Sequence, residues 1–235
     1  MKAFKLVSLV LCVLLLTSCA PKAKLISKGD AYPDCYKEVP QSILVLPPIN
    51  ESTAADAKDY YSTTIADPLA FAGYYVFPIE VVTEILKKEG LADTEMLMNA
   101  PPQKFKEYFG ADAVLYVKIL KWDTVYMVLA GNVTVAINCE LKSTTTGKTL
   151  WKYNGSLTVD TTGQDHGQQG IAGLIIKLVE TAAKTAAQDY VPIARRVNYM
   201  VLGSMPFGKY HKQHGQDKGL EVVVEDRVKP KEQKK

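Results

Sequence analysis

Between Ala113 and Asp160 the chain reads as three long strands joined by two short turns, and this segment limits the folds open to it. Ala113 to Trp122 is apolar and branched, and Thr124 to Leu129 extends it or pairs with it. Ala130-Gly131-Asn132 supplies a turn, Val133 to Leu141 alternates, Thr144 to Lys148 turns again, and Leu150 to Asp160 returns. Successive strands with short turns make an antiparallel meander. A meander must bury one face, so other elements have to pack on it. Upstream, Ser42 to Leu46 is apolar on both faces and is closed by Pro47-Pro48, which suits a buried central strand. Ala54 to Ala66 is helical by composition, with Pro68 breaking or kinking it and Gly73 ending the segment. Tyr74 to Phe77 is a short strand stopped by Pro78, and Val81 to Glu89 is an amphipathic helix capped by Gly90. Pro101-Pro102 opens a helix that Gly110 closes. Downstream, Ile171 to Tyr190 is rich in alanine and reads as a helix, and a further helix covers Ile193 to Leu202. The expectation is an α/β (α+β) domain: a single mixed sheet with an antiparallel meander and helices packed on it.

The first twenty residues say where such a domain would work. Lys2 and Lys5 precede an apolar run from Leu6 to Leu16, and small residues lead into Cys19. This is a secretory signal, and its apolar run is far short of the roughly 20 residues that span a bilayer as a helix. Leu16-Thr17-Ser18-Cys19 resembles the lipobox of bacterial lipoproteins. That resemblance implies cleavage before Cys19, a diacylglycerol on its thiol and a further acyl chain on the new N-terminus. Two or more chains give stable anchoring where one is marginal. Ala20 is not the aspartate that marks inner-membrane retention, so the implied address is the outer membrane, facing the periplasm.

The expected organisation is a signal peptide over 1–18, a lipidated N-terminus and tether over 19–40, the α/β domain over 41–208, and a charged tail over 209–235. The tail is expected to lack fixed structure apart from a short strand at Leu220 to Val224. Removing Lys2 and Lys5 takes the formal charge from +3 to +1, which leaves no electrostatic case for nucleic acid. Cys12 leaves with the signal, so Cys35 and Cys139 remain beside Cys19. In an oxidising compartment they are a candidate disulfide. The alternative is two buried thiols.

Several segments carry a wider resemblance. They are Ser42 to Ser52, Pro68 to Pro78, Phe109-Gly110-Ala111-Asp112-Ala113-Val114-Leu115-Tyr116, and Gly147-Lys148-Thr149-Leu150-Trp151. With the lipobox, they resemble a family of bacterial lipoproteins of unknown function, over most of residues 40 to 205. That family is similar in architecture to the N-terminal domain of TolB, to the curli-secretion lipoprotein CsgG, and to lipoprotein activators of peptidoglycan synthases. The resemblance implies a TolB N-terminal-domain-like fold and a non-enzymatic binding or assembly component of an envelope secretion or transport complex. Its implied partners are the membrane through Cys19 and a periplasmic protein, with a CsgG-like lipoprotein and further copies of the chain as candidates. The alternative it implies is a regulatory activator of a peptidoglycan synthase, although such activators reach outward on long tethers.

Nothing in the sequence opposes a non-enzymatic reading. It has no Gly-x-Ser-x-Gly, phosphate loop or dinucleotide fingerprint, so no cofactor is expected. Neither Cys35 nor Cys139 has a second ligand at metal spacing, and His211 and His214 fall in a glycine-rich stretch with little helix signal. No metal site is expected. Most of the aromatic residues are expected in the core. The loop from Thr161 to Gly170 is the candidate partner-contact surface, through Gln164, His166, Gln168 and Gln169.

Overall fold

The computed structural model describes residues 24–91, 94–127, 130–160, 174–177 and 190–224. Among these, seven strands form one mixed sheet: β2 (Ser42–Val45), β3 (Ile49–Asn50), β4 (Tyr75–Val76), β5 (Ala113–Met127), β6 (Ala130–Ser143), β7 (Thr149–Asp160) and β8 (Leu174–Lys177). Their order is β4-β2-β5-β6-β7-β8, with β3 also beside β5. β5, β6 and β7 pair antiparallel as the meander, while β2 lies parallel to both β4 and β5. The upstream edge of β5 is shared. Residues 113–115 pair with β2 and 118–119 with β3, and Pro47-Pro48, which has no N–H to give to a ladder, falls in the gap.

The register shifts between Ile119 and Lys121. Ile119 and Trp122 are both buried, whereas Leu120 and Lys121 are exposed. Strict alternation from Ile119 would send Lys121 into the core, so the bulge is what turns Trp122 inward.

Helices cover both faces of the sheet's upstream half. One core joins Ile43, Val45, Leu115 and Val117 to α3 (Ala57–Thr64), α4 (Ala66–Phe71) and α8 (Val191–Leu202). The other joins Leu44, Leu46, Val114 and Tyr116 to α5 (Ile79–Lys88), α6 (Thr94–Asn99) and α7 (Pro102–Phe109). Ile43 and Val45 thus face one core while Leu44 and Leu46 face the other, which is why that run is apolar throughout. The outer face of β6 and β7 is polar, with Thr134 against Thr158, Asn138 against Asn154 and Glu140 against Lys152.

The Phe109-to-Tyr116 motif has a mechanical reading. Gly110 closes α7 at φ 71°, a left-handed conformation that glycine adopts without strain. Asp112 then fastens β2 to β5. Its Oδ2 accepts from the Gln41 and Ser42 amides and the Ser42 hydroxyl, and the Ser42 hydroxyl accepts the Asp112 N–H. Asp112→Ala leaves two strand-entry amides unpaired and is expected to cost about 2 kcal/mol, read from the shift in urea midpoint.

Three expectations are corrected. The segment read as a tether is largely folded, with β1 (Lys24–Ser27), α1 (Lys28–Ala31) and α2 (Pro33–Glu38) before β2. The segment read as a tail without fixed structure is folded through residue 224. It packs against Gly73 (φ 88°), with Gly208 donating to the Ala72 carbonyl and Tyr210 to the Gly73 carbonyl. It ends in β9 (Glu221–Val224), the expected short strand, which pairs antiparallel with β1 in a separate two-stranded ribbon. Within the segment read as one helix from Ile171, residues 174–177 form β8, parallel to β7. The branched run Leu174 to Lys177 extends the sheet there, and the rest of 171–189 lies outside the described residues. Ile49–Asn50 adds a short strand where a loop was expected, and Thr94–Asn99 a helix between the two that were read.

Candidate functional site

The two ends of the described chain meet in a buried polar clasp. Ser27 caps α1, its hydroxyl accepting the Asp30 N–H at 3.1 Å, and the Lys28 amide donates to the Leu220 carbonyl at 2.8 Å. This turns the Lys28 side chain inward. Its Nζ donates to the Met205 carbonyl at 2.7 Å and lies 3.5 Å from Asp217 Oδ2 and 4.9 Å over the Phe207 ring. Both side chains are almost fully buried, at 4% and 0% exposure. Asp217 sits in a short 3-10 turn, Asp217–Gly219, and also accepts the Phe207 N–H at 2.8 Å. Desolvation holds the Lys28 ammonium below its ordinary pKa, and the Asp217 charge opposes that shift. His211 stacks on Phe207, and His214 Nδ1 lies 2.8 Å from the Phe207 carbonyl.

A small pocket adjoins the clasp, lined by Cys35, Tyr36, Tyr74, Phe207, Gly208 and His214 among others. The turn from α2 into β2 passes beside it at Val39, at φ 48°, a left-handed conformation costly for a β-branched residue. Tyr74 donates to the Pro206 carbonyl at 2.7 Å, and Cys35 Sγ is 4.0 Å from the Tyr74 hydroxyl. Burial pushes the Cys35 thiol up to about 12, so it is protonated at neutral pH and is no nucleophile. The pocket lies where residues 35–40, Tyr74 and residues 206–214 meet.

The expected Cys35–Cys139 disulfide is corrected. Both cysteines are free and buried. Each has its own hydroxyl partner, Cys139 Sγ lying 3.7 Å from Tyr61. Cys35 is held by α2 and Cys139 by the central strand β6. Burial pushes both thiols from 9.0 to about 12, against weaker opposing hydrogen bonds from Tyr74 and Tyr61. Above pH 9 the unfolded chain gives up these protons and the folded chain keeps them, so the unfolded state binds fewer. Stability is therefore expected to fall as pH rises from about 9 towards 12, by at most about 1.4 kcal/mol per pH unit for each thiol. Tyr61 and Tyr74, raised well above 10.0 by burial, act in the same direction. Urea midpoints at neutral pH and above pH 9 check this, and an unchanged midpoint would refute it.

Cys19 and the loop residues Gln164, His166, Gln168 and Gln169 lie outside the described residues. His211 and His214 are in folded turns, and among the described residues no group of three His, Cys, Asp or Glu is placed to hold a metal ion. Of the aromatic residues singled out, Tyr61, Tyr74, Tyr116, Trp122 and Trp151 are buried, Tyr60 and Tyr153 pack against the core from partly buried positions, and Tyr75 is exposed beside Phe77. Sequence reading missed Lys28 and Asp217. The available signal was a pair of short branched stretches, Leu25-Ile26 and Val222-Val223-Val224, far apart in the chain.

The described residues form a mixed-sheet α/β domain whose two chain ends meet in the Lys28–Asp217 clasp. No helix among the described residues is long and apolar enough to cross a membrane. The chain belongs to the GNA1162-like lipoprotein family, whose model, "Putative lipoprotein GNA1162-like", matches residues 31–209. It is 34% identical over 158 residues to the lipoprotein NMB1124/NMB1162 of Neisseria meningitidis serogroup B, across 67% of this chain and 72% of that one. The crystal structure of lipoprotein GNA1162 from Neisseria meningitidis aligns with a TM-score of 0.49 at 36% identity, over 55% of this chain and 89% of that chain. A PelC dodecamer from Paraburkholderia phytofirmans aligns with a TM-score of 0.43 at 14% identity, over 80% of this chain and 96% of that chain. The clasp residues Lys28 and Asp217 and the β1–β9 ribbon lie outside the residues that the family model matches.

Proposed function

We propose that the protein is anchored through acyl chains on Cys19 to the outer membrane, faces the periplasm, and serves as a non-enzymatic assembly component of an envelope secretion or transport complex. The observation that carries this reading is the short distance between the anchor position and the fold. β1 begins at Lys24, five residues after Cys19. Fully extended, five residues reach about 18 Å. The domain therefore works against the membrane surface, which suits a subunit of a membrane-seated assembly. An activator that crosses the periplasm to a peptidoglycan synthase needs a much longer lead, so the short reach speaks against that alternative. The polar outer face of β6 and β7 and the loop holding Gln164, His166, Gln168 and Gln169 are the surfaces on which a partner or another copy would sit.

The test is cross-linking in intact cells followed by density-gradient separation of the two membranes and identification of the linked proteins. The protein is expected in the outer-membrane fraction, linked to a secretion or transport component. Recovery with a murein synthase in its place would transfer the case to the activator reading.

A further inference from the structure

The β1–β9 ribbon has one face in the core and one in the open, where the apolar pair Leu25–Val223 is followed by Ser27 opposite the exposed Glu221. Register pairs Ile26 with Val222 and Leu25 with Val223. Val222 is 7% exposed and belongs to the main core, with Ile26 packed against it. Leu25 and Val223, directly opposite each other on the other face, are 56% and 47% exposed, and the adjoining Leu220 is 53% exposed. An outward strand face in water is normally polar, so a cross-strand apolar pair there indicates something that covers it.

Chain geometry says what that is. Antiparallel register sets Lys24 opposite Val224, so the lead towards Cys19 and the segment after Val224 leave the ribbon at the same end. The lead is five residues long and carries Lys22 and Lys24. Residues 225–235 carry five Lys or Arg against three Asp or Glu, with Glu225 and Asp226 next to the ribbon and the basic residues beyond them. Basic residues flanking an apolar surface are the pattern that meets an anionic lipid interface. The clasp fixes the ribbon's other end to the domain, through the Lys28 amide on Leu220 and the Lys28 side chain on Met205.

Resting on the Cys19 anchoring proposed above, we infer that the outer face of this ribbon, with Leu25 and Val223, lies on the lipid surface of the leaflet that holds the acyl chains. Lipidation alone leaves a domain free to swivel on its lead. A second, rigidly connected contact sets which surfaces of the sheet face away from the membrane. The ribbon thus acts as an orienting foot.

The test uses the full lipidated protein, purified from membranes and reconstituted into vesicles of phosphatidylethanolamine and phosphatidylglycerol. A nitroxide is attached at Val223→Cys, or at Tyr108→Cys on α7 as the solvent control; Cys35 and Cys139 are buried and do not compete for the label. Collision rates with oxygen, which partitions into lipid, and with a water-soluble nickel chelate are compared. The expected result is a shift towards oxygen at 223 alone, larger than in vesicles of phosphatidylcholine. Equal, water-like rates at both positions in protein that floats with the vesicles overturn the inference and leave the anchor standing. Dipolar broadening between two labels at 223 also overturns it, because the face is then covered by a second copy. Failure to float with vesicles removes the anchor reading and the inference together.

Discussion

Asp217→Ala is expected to destabilise the fold by about 3–5 kcal/mol, because it leaves the Lys28 ammonium buried without a counter-charge. It also frees the Phe207 N–H that Asp217 Oδ2 accepts at 2.8 Å. The Lys28 ammonium has no open route to water in the native packing, since its side chain and that of Asp217 are almost fully buried. A surface pair such as Lys104–Glu107 serves as the contrast, and Glu107→Ala is expected to leave the urea midpoint essentially where it is. The deficit of Asp217→Ala should shrink with rising pH. Desolvation already holds Lys28 below 10.5, and loss of the Asp217 charge removes what opposes that shift. The folded variant then sheds its proton at lower pH than the unfolded chain, so the unfolded state binds more protons and stability climbs relative to wild type. Urea midpoints for both proteins across that range read the narrowing. Lys28→Met combined with Asp217→Leu removes both charges and should recover part of the loss, short of wild type because the Met205 carbonyl and Phe207 amide stay unpaired. A deficit under 1 kcal/mol for Asp217→Ala would mean that the two chain ends are fastened by the ribbon alone.

The clasp marks where sequence reading stopped short. The meander was legible because the alternation in β6 and β7 reports burial directly: Val133, Val135 and Ile137 are buried, while Thr134 and Asn138 are not. The Ser42 to Leu46 run was legible because it faces two cores. The ends were misread because composition treats Lys28 and Asp217 as solvent groups, and only pairing across the length of the chain makes them interior ones. β1 and β9 are four residues each, too short for periodicity to register, and each is stable only beside the other. The thiols were misread for a related reason. The oxidising compartment argues for a bridge, but each sulfur is already placed against a tyrosine hydroxyl on a different element. In the candidate site, then, the sequence singles out Cys19 by motif, while the Lys28–Asp217 clasp and the β1–β9 ribbon become visible only once the fold brings the chain ends together.

Cys19→Ala is expected to have the largest effect of any single substitution, moving the protein from the membrane pellet to the soluble fraction. A diacylglycerol and an N-terminal acyl chain stabilise membrane attachment by about 0.8 kcal/mol for each CH₂ they bury, enough in combination for stable anchoring. The uncut signal of the variant has an apolar run from Leu6 to Leu16 only, short of the roughly 20 residues a spanning helix needs. The exposed ribbon face offers Leu25 and Val223, a small apolar area beside weak electrostatic attraction, and high salt should remove that residue of binding. Wild-type protein should resist the same wash. Mass spectrometry of the N-terminal peptide provides the chemical check: the wild type should begin at Cys19 and carry the mass of the diacylglycerol and acyl groups. Continued pelleting of Cys19→Ala after a high-salt wash, or an unmodified Cys19 in the wild type, would place the attachment elsewhere in the chain. The five-residue reach on which the membrane-surface proposal rests would then no longer apply.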